Sequence, residues 1–264
     1  MIIIGEKLNS SIPKTFEAMN AGNEAEIISL IKKQADAGAD FLDINTAICG
    51  DCELEKLLWV IELVKAHSSC GIMVDSTNTE VVAQAVKAAA GRDLIINSTT
   101  IADRFDAVVP LALETGASVI GLPIDDDGMP HSFEEKCRKI DMLVAKLRDA
   151  GIPDERIYID VLIETLATNG DSAKTAIQTI AYVAETYPEV KTTCGLSNVS
   201  FGLPKRALIN SAFVAAALVA GLSSAIIDPA SPAMQAALAA AQVVAGQDDY
   251  CMNYITYIRS TENI

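Results

Sequence analysis

Carboxylates and amides recur in this sequence at one kind of place, the end of a short apolar run. Glu6 and Asn9 follow the first run, Asp43 and Asn45 close the second, and Asp75, Asn97, Asp160 and Asp228 each close another. The stretch Gly195-Leu196-Ser197-Asn198-Val199-Ser200-Phe201-Gly202-Leu203-Pro204 adds Ser197 and Asn198, with no histidine, cysteine or lysine within it. That stretch is poor in acid–base chemistry and rich in neutral hydrogen-bonding groups, which suits a flat, nitrogen-rich ligand. A single Asp or Asn after a strand is more often a helix cap or turn former. Its repetition over so many runs points to a site.

The elements that position these residues follow from periodicity. Short β-branched runs at 2–4, 41–45, 71–75, 94–97, 118–122, 157–160, 192–196 and 224–227 alternate with amphipathic stretches at 24–37, 54–66, 80–90, 103–115, 132–150, 172–187, 206–220 and 232–245. Gly38, Gly116, Gly151 and Gly221 stand just past helices, where a left-handed cap favours glycine. Eight strand–helix units predict the α/β class and a (β/α)8 TIM barrel, a fold of about 250 residues whose functional groups gather at the carboxyl ends of the strands. An open doubly wound sheet is the alternative, but no GxGxxG follows an early strand. No low-complexity linker divides the chain, so residues 1–264 are expected to form a single domain.

Composition narrows the class. Half of the residues are hydrophobic and the formal net charge is -15, which argues against nucleic acid and anionic membrane as partners, since both require positive patches. The apolar start at residues 1–4 stops at Gly5-Glu6-Lys7, short of a signal segment, and no later run reaches the length of a membrane span; the expectation is a cytoplasmic protein. The six cysteines read as free thiols. Cys49 and Cys52 form a CxxC with no second pair or neighbouring histidine, and are read as a loop with two thiols rather than a redox or metal motif.

Lysines, arginines or a glycine nest would mark a phosphate site, and the strand ends offer few. Histidines usually accompany a catalytic divalent metal, and His67 and His131 lie on a helix and in a loop, so no metal is expected. A reduced pterin fits better: its aminopyrimidine edge offers N–H donors to carboxylates and a carbonyl acceptor to amides, and each unmet bond in a buried site costs about 1–3 kcal/mol.

Gly5-Glu6-Lys7-Leu8-Asn9, Asp43-Ile44-Asn45, Val74-Asp75-Ser76-Thr77, Ile96-Asn97-Ser98-Thr99, Tyr158-Ile159-Asp160 and the stretch from Gly195 together resemble the pterin-binding methyltransferases that act on methyltetrahydrofolate and a corrinoid protein. The resemblance spans residues 2–254 and covers the methyltransferases of acetogens and of O-demethylating anaerobes; the folate domain of cobalamin-dependent methionine synthase is a more distant cousin. It implies a pterin-binding TIM barrel in which Asp75, Asn97 and Asp160 hold the pterin, joined by Ser197, Asn9 and Asn45. Asn198 then lies beside the methyl-bearing nitrogen, Glu6 and Asp43 belong to a supporting network, and Arg206 meets the benzoyl-glutamate tail. Phe201 departs from relatives that carry glutamine there and is left out of the polar contacts. The resemblance also implies tetrahydrofolate or methyltetrahydrofolate as substrate, a corrinoid supplied by a partner (a corrinoid iron–sulfur protein or a demethylase corrinoid protein), and a homodimer.

The Ala-rich helices, with Ala215-Ala216-Ala217 and Ala239-Ala240-Ala241, suit a subunit interface or close packing within one subunit. Asp125-Asp126-Asp127 suits either a docking surface or a solvated acidic turn. Two rival readings remain. Dihydropteroate synthase shares the pocket but requires a late Ser-x-Arg-x-His pattern, and no histidine follows His131. The other rival is a non-catalytic folate-binding subunit.

Overall fold

The computed structural model describes residues 1–262, and the last two residues of the expected 1–264 domain lie outside them. Eight parallel strands run in the order β7-β6-β5-β4-β3-β2-β1-β8. They are β1 (Ile2–Asn9), β2 (Phe41–Asn45), β3 (Gly71–Asp75), β4 (Leu94–Thr100), β5 (Ser118–Leu122), β6 (Ile157–Asp160), β7 (Lys191–Thr193) and β8 (Ser224–Ile227). Around them lie α1 (Pro13–Ala21), α2 (Glu24–Asp36), α3 (Glu53–His67), α4 (Thr79–Ala88), α5 (Phe105–Thr115), α6 (Phe133–Asp149), α7 (Ser172–Thr186), α8 (Arg206–Val219), α9 (Pro232–Val244) and α10 (Met252–Glu262). The expected (β/α)8 TIM barrel is the observed fold. Helices α1 and α10 are additions to the eight that periodicity predicts.

Outward-facing strand residues such as Leu42, Ile44, Ile72, Val74 and Ile96 pack against the helices. Inside the barrel, Ile4, Met73, Ile95, Ile120 and Tyr158 form a separate apolar plug. Successive side chains on a strand alternate faces, so the residue two places after each plug residue faces the same interior, one layer nearer the carboxyl mouth. From Ile4, Met73, Ile95 and Tyr158 those residues are Glu6, Asp75, Asn97 and Asp160; from Ile120 it is the apolar Leu122. One rule therefore makes the floor greasy and the mouth polar.

Between β7 and β8 the closure is sparse. Among the described residues a single bridge joins β8 to the chain just past β7, Gly195 with Ile226, where Ile226 N–H donates to the Cys194 carbonyl at 3.0 Å. Hydroxyls take over much of the remaining seam: Thr192 N–H donates to Ser223 Oγ at 2.7 Å, and Ser224 Oγ to the Thr192 carbonyl at 2.8 Å.

The structure corrects three strand ends: β1 runs on to Asn9 and β4 to Thr100, beyond the expected 4 and 97, and the seventh strand stops short. Sequence periodicity runs the seventh strand through 196, whereas β7 ends at Thr193 and residues Leu196–Ser200 form a 3-10 helix. Ser197 and Asn198 therefore sit on a tight turn over the mouth and not on a strand.

Candidate active site

A cavity of about 660 Å³ opens at the carboxyl end of the barrel, a size suited to a small-molecule ligand. Of the sequence-predicted site residues, Glu6, Asn9, Asp43, Asp75, Asn97, Asp160, Ser197, Asn198 and Arg206 all line it. Asn45 does not. Its Nδ2 donates to Asp75 Oδ2 at 2.8 Å, so its contact is with a lining carboxylate rather than with the cavity.

The lining is graded by depth. Asp43 pairs in register with Met73, one layer below Asp75, and is 3% exposed. Its Oδ1 is buried without a hydrogen-bond partner. Burial, with Asp75 and Glu6 nearby, holds its carboxyl well above the usual carboxylate range. Asp75 and Asn97 are half-buried and stand side by side in register on β3 and β4. Desolvation raises Asp75, against the Asn45 hydrogen bond and the charge of Arg104. Asp160 is pushed up to about 6 by burial, opposed by the Leu162 N–H and Lys136. At the rim, Asn198 and Arg206 are exposed.

The turn-former reading and the site reading hold together at several positions. Asn9, Asn45, Asp160 and Asp228 each accept, through one side-chain oxygen, the backbone N–H two residues on, at 2.8–3.1 Å. These Asx turns fix the first bend of each loop. The remaining atoms of these groups are left to face the cavity or a neighbour. Lys136 secures the loop after β6 from behind, donating to the carbonyls of Val161 and Leu162 at 2.8 and 2.9 Å.

The rim is braced. Arg206 donates through Nε to Ser200 Oγ at 3.0 Å and through Nη2 to the Ser197 carbonyl at 2.6 Å, and its guanidinium lies 5.8 Å from the Phe201 ring centroid. Ser200 Oγ donates in turn to Asn210 Oδ1 at 2.7 Å. Asn198 has no side-chain hydrogen bond to any described residue, so its amide is free to meet a ligand.

Sequence reasoning passed over Lys7 and Asn210 and left Asp228 out of the site; all three line the cavity. For Lys7 the cause is a bulge. Register shifts between Gly5 and Leu8 of β1, so Glu6 and Lys7 both reach the mouth where strict alternation would send one outwards. Gln34 of α2 fills the irregularity, accepting the Lys7 N–H at 2.9 Å. A Cβ on residue 5 would lie 2.5 Å from Gln34 Oε1, so a larger residue there would have to displace the Gln34 amide. The Gly5-Glu6-Lys7 sequence was the available signal.

Two other motifs make contacts within the chain. Lys139, fully buried, donates to Asp125 Oδ1 at 2.6 Å and to the Gly128 carbonyl at 2.7 Å, so Asp125 serves to anchor its own turn. Ala217 and Ala241 are buried within the chain, where α8 and α9 pack on each other, whereas Ala216 and Ala240 are exposed. Cys49 and Cys52 are free thiols in a 3-10 segment before α3. No helix among the described residues is long and apolar enough to cross a membrane.

Over 257 residues the chain is 32% identical to the methylcorrinoid:tetrahydrofolate methyltransferase of Eubacterium limosum, covering 96% of this chain and 94% of that protein. It is 33% identical over 241 residues to the methionine synthase of Mycobacterium tuberculosis, covering 86% of this chain but 20% of that longer protein. Among solved structures, the dihydropteroate synthase of Coxiella burnetii in complex with pteroic acid superposes with a TM-score of 0.66 at 20% identity, over 93% of this chain and 92% of that one. The enzyme of Xanthomonas albilineans in complex with 7,8-dihydropteroate gives 0.67 at 21%, over 92% and 93%. At those identities the likeness is one of fold. The model of the pterin binding enzymes matches residues 5–228, which take in every lining residue named above and all of the strands except the first three residues of β1; the chain belongs to the pterin-binding enzyme family.

Proposed function

We propose that this chain is a methyltransferase that moves a methyl group between N5 of tetrahydrofolate and the cobalt of a corrinoid carried by a partner protein, within anaerobic one-carbon metabolism such as acetyl-CoA synthesis or O-demethylation. The observation that carries the reading is the free Asn198 amide, poised at the rim above the half-buried acceptors Asp75, Asn97 and Asp160. Similarity along nearly the full length of the E. limosum methyltransferase supports the same reaction.

In this reading Asp75 and Asp160 accept the N–H donors of the pterin edge and Asn97 adds an amide partner. Arg206 faces the anionic tail from the rim. Transfer away from methyltetrahydrofolate breaks the N5–CH3 bond, forms a CH3–Co bond from cobalt(I), and leaves N5 with a proton from solvent. A tertiary amine leaves poorly unless its nitrogen is protonated or strongly hydrogen bonded in the transition state. Asn198 is neutral and supplies no proton; it orients one and stabilises the charge that develops at N5, a kind of interaction whose loss commonly costs about 3–4 kcal/mol. In reverse, the N5 lone pair attacks the methyl group on cobalt(III) and the N5 proton is released. The reading carries with it one cytoplasmic domain over residues 1–264, acting as a homodimer.

Calorimetry and stopped-flow kinetics test it. Binding of tetrahydrofolate and methyltetrahydrofolate together with methyl transfer to cob(I)alamin is the expected result. Micromolar binding of dihydropterin diphosphate with none of methyltetrahydrofolate would indicate the synthase reading, and folate binding without transfer a non-catalytic folate-binding subunit.

A further inference from the structure

The Lys7 ammonium lies 3.2 Å from Glu6 Oε1 and 3.1 Å from Asp228 Oδ2. On its other oxygen, Glu6 Oε2, the same glutamate accepts the Ser197 hydroxyl at 3.1 Å. Ser197 is the chain neighbour of Asn198. This side-chain path, Asp228–Lys7–Glu6–Ser197, joins the end of β8, the bulge of β1 and the 3-10 turn after β7.

The path matters because of where that turn hangs. Strands β1 and β8 are tied by a four-residue parallel ladder, Ile2 with Ser224 through Gly5 with Ile227. At the β7–β8 seam one bridge, from Gly195 just past β7, does the joining, so among the described residues the Asn198 turn springs from the edge with the least backbone support. Arg206 braces the turn from α8 through the Ser197 carbonyl. On the cavity side the brace is Glu6, and Glu6 is held by Lys7. Burial works against the charge on Lys7, but Glu6 and Asp228 outweigh it and raise the lysine above its ordinary value. Without the ammonium, Glu6 and Asp228 become two neighbouring carboxylates with no cation between them, and Glu6 loses the contact that aims its second oxygen at Ser197.

We propose that Lys7 is a positioning residue for methyl transfer, fixing Glu6 against Asp228 and, through Ser197, holding the Asn198 turn over the cavity. The proposal rests on the methyltransferase reading above. It assigns Lys7 an effect on rate rather than on stability, because partly exposed ion pairs contribute little to folding.

The test compares Lys7→Met, Lys7→Arg, Asn198→Ala and the Lys7→Met/Asn198→Ala double variant in methyl transfer to cob(I)alamin, with thermal melts alongside. In Lys7→Met, kcat is expected to fall by about tenfold or more, since small misplacements of a reacting group are costly, with KM for methyltetrahydrofolate and the melting temperature near wild type. Lys7→Arg restores most of the rate. The double variant is expected to be no slower than Asn198→Ala alone, because residues acting through one another are non-additive. Full kcat in Lys7→Met overturns the proposal, and so do additive losses in the double variant. Should Lys7→Met fail to fold, Asp228→Asn releases the other end of the path, and wild-type kcat in that variant overturns the proposal. A wild type that binds tetrahydrofolate and moves no methyl overturns the methyltransferase reading itself, and this proposal with it.

Discussion

Gly195 and Asn198 are packed so closely that the first residue limits the second: the Asn198 N–H donates to the Gly195 carbonyl at 3.0 Å, and a Cβ on residue 195 would stand 3.0 Å from Asn198 Nδ2. The turn thus holds its asparagine amide against a backbone that has no side chain. Gly195→Ala should push that amide off its position while leaving Asp75, Asn97 and Asp160 untouched. The expected result is methyl transfer slowed by about tenfold or more with tetrahydrofolate affinity near wild type. A fully active Gly195→Ala protein would show that the amide has freedom to spare.

Asp75→Ala and Asp160→Ala test the wall of the cavity. Each removes an acceptor from a half-buried position and leaves ligand N–H donors unpaired, a loss of about 1–3 kcal/mol or about 5- to 150-fold in affinity. Isothermal titration with tetrahydrofolate reads the change directly. Wild-type affinity in both variants would move the pterin elsewhere in the cavity.

Protonation should be linked to both folding and binding. Burial raises the Asp160 carboxyl from 3.8 to about 6, and Asp43 and Asp75 shift in the same direction. Between its unfolded and folded values such a group holds more protons folded than unfolded. Its contribution therefore lowers the stability of the ligand-free protein as pH rises from about 4 to about 6, and the loss persists above that. Binding has the opposite sign, because ligand N–H donors favour the ionised carboxylate. Affinity for tetrahydrofolate should rise with pH across the same interval, with protons released at about pH 5.5 when titrations in buffers of different ionisation heat are compared. Asp160→Asn should melt higher than wild type above about pH 6 and release fewer protons on binding. An affinity that is flat over this interval would exclude the linkage.

The barrel and most of the mouth were legible because two periodicities coincide. The period of two that makes Ile4, Met73, Ile95 and Tyr158 an interior plug also sends Glu6, Asp75, Asn97 and Asp160 to the cavity. Local departures from that period were not legible. A bulge turns Lys7 inwards, and a 3-10 turn replaces the expected strand end at Ser197 and Asn198. Asn45 follows the alternation but is taken up by Asp75, a contact between strands that no single run reveals. Helix α1 begins at Pro13 without a side-chain cap, so its start carries only the weaker proline signal.

Asn198 and Ser197 make the sharpest comparison. Had they lain on a strand, alternation would have turned them to opposite faces; on the 3-10 turn both line the cavity, with Ser197 committed to Glu6 and Asn198 uncommitted. If the Asn198 amide acts on N5 mainly in the transition state, Asn198→Ala should slow methyl transfer by about a hundredfold or more, as removal of a charge-stabilising donor does elsewhere. Ground-state binding should fall much less, because the nitrogen gains its charge only as its bond to the methyl carbon breaks. Ser197→Ala should cost less in rate, since it loosens the Glu6 brace while the Arg206 contact to the Ser197 carbonyl survives. Stopped-flow transfer and equilibrium binding on the same two variants separate these effects. Equal losses of rate and affinity in Asn198→Ala would make it a holding residue, and the orientation of the N5 proton would then fall to the Glu6 and Asp43 carboxyls below it.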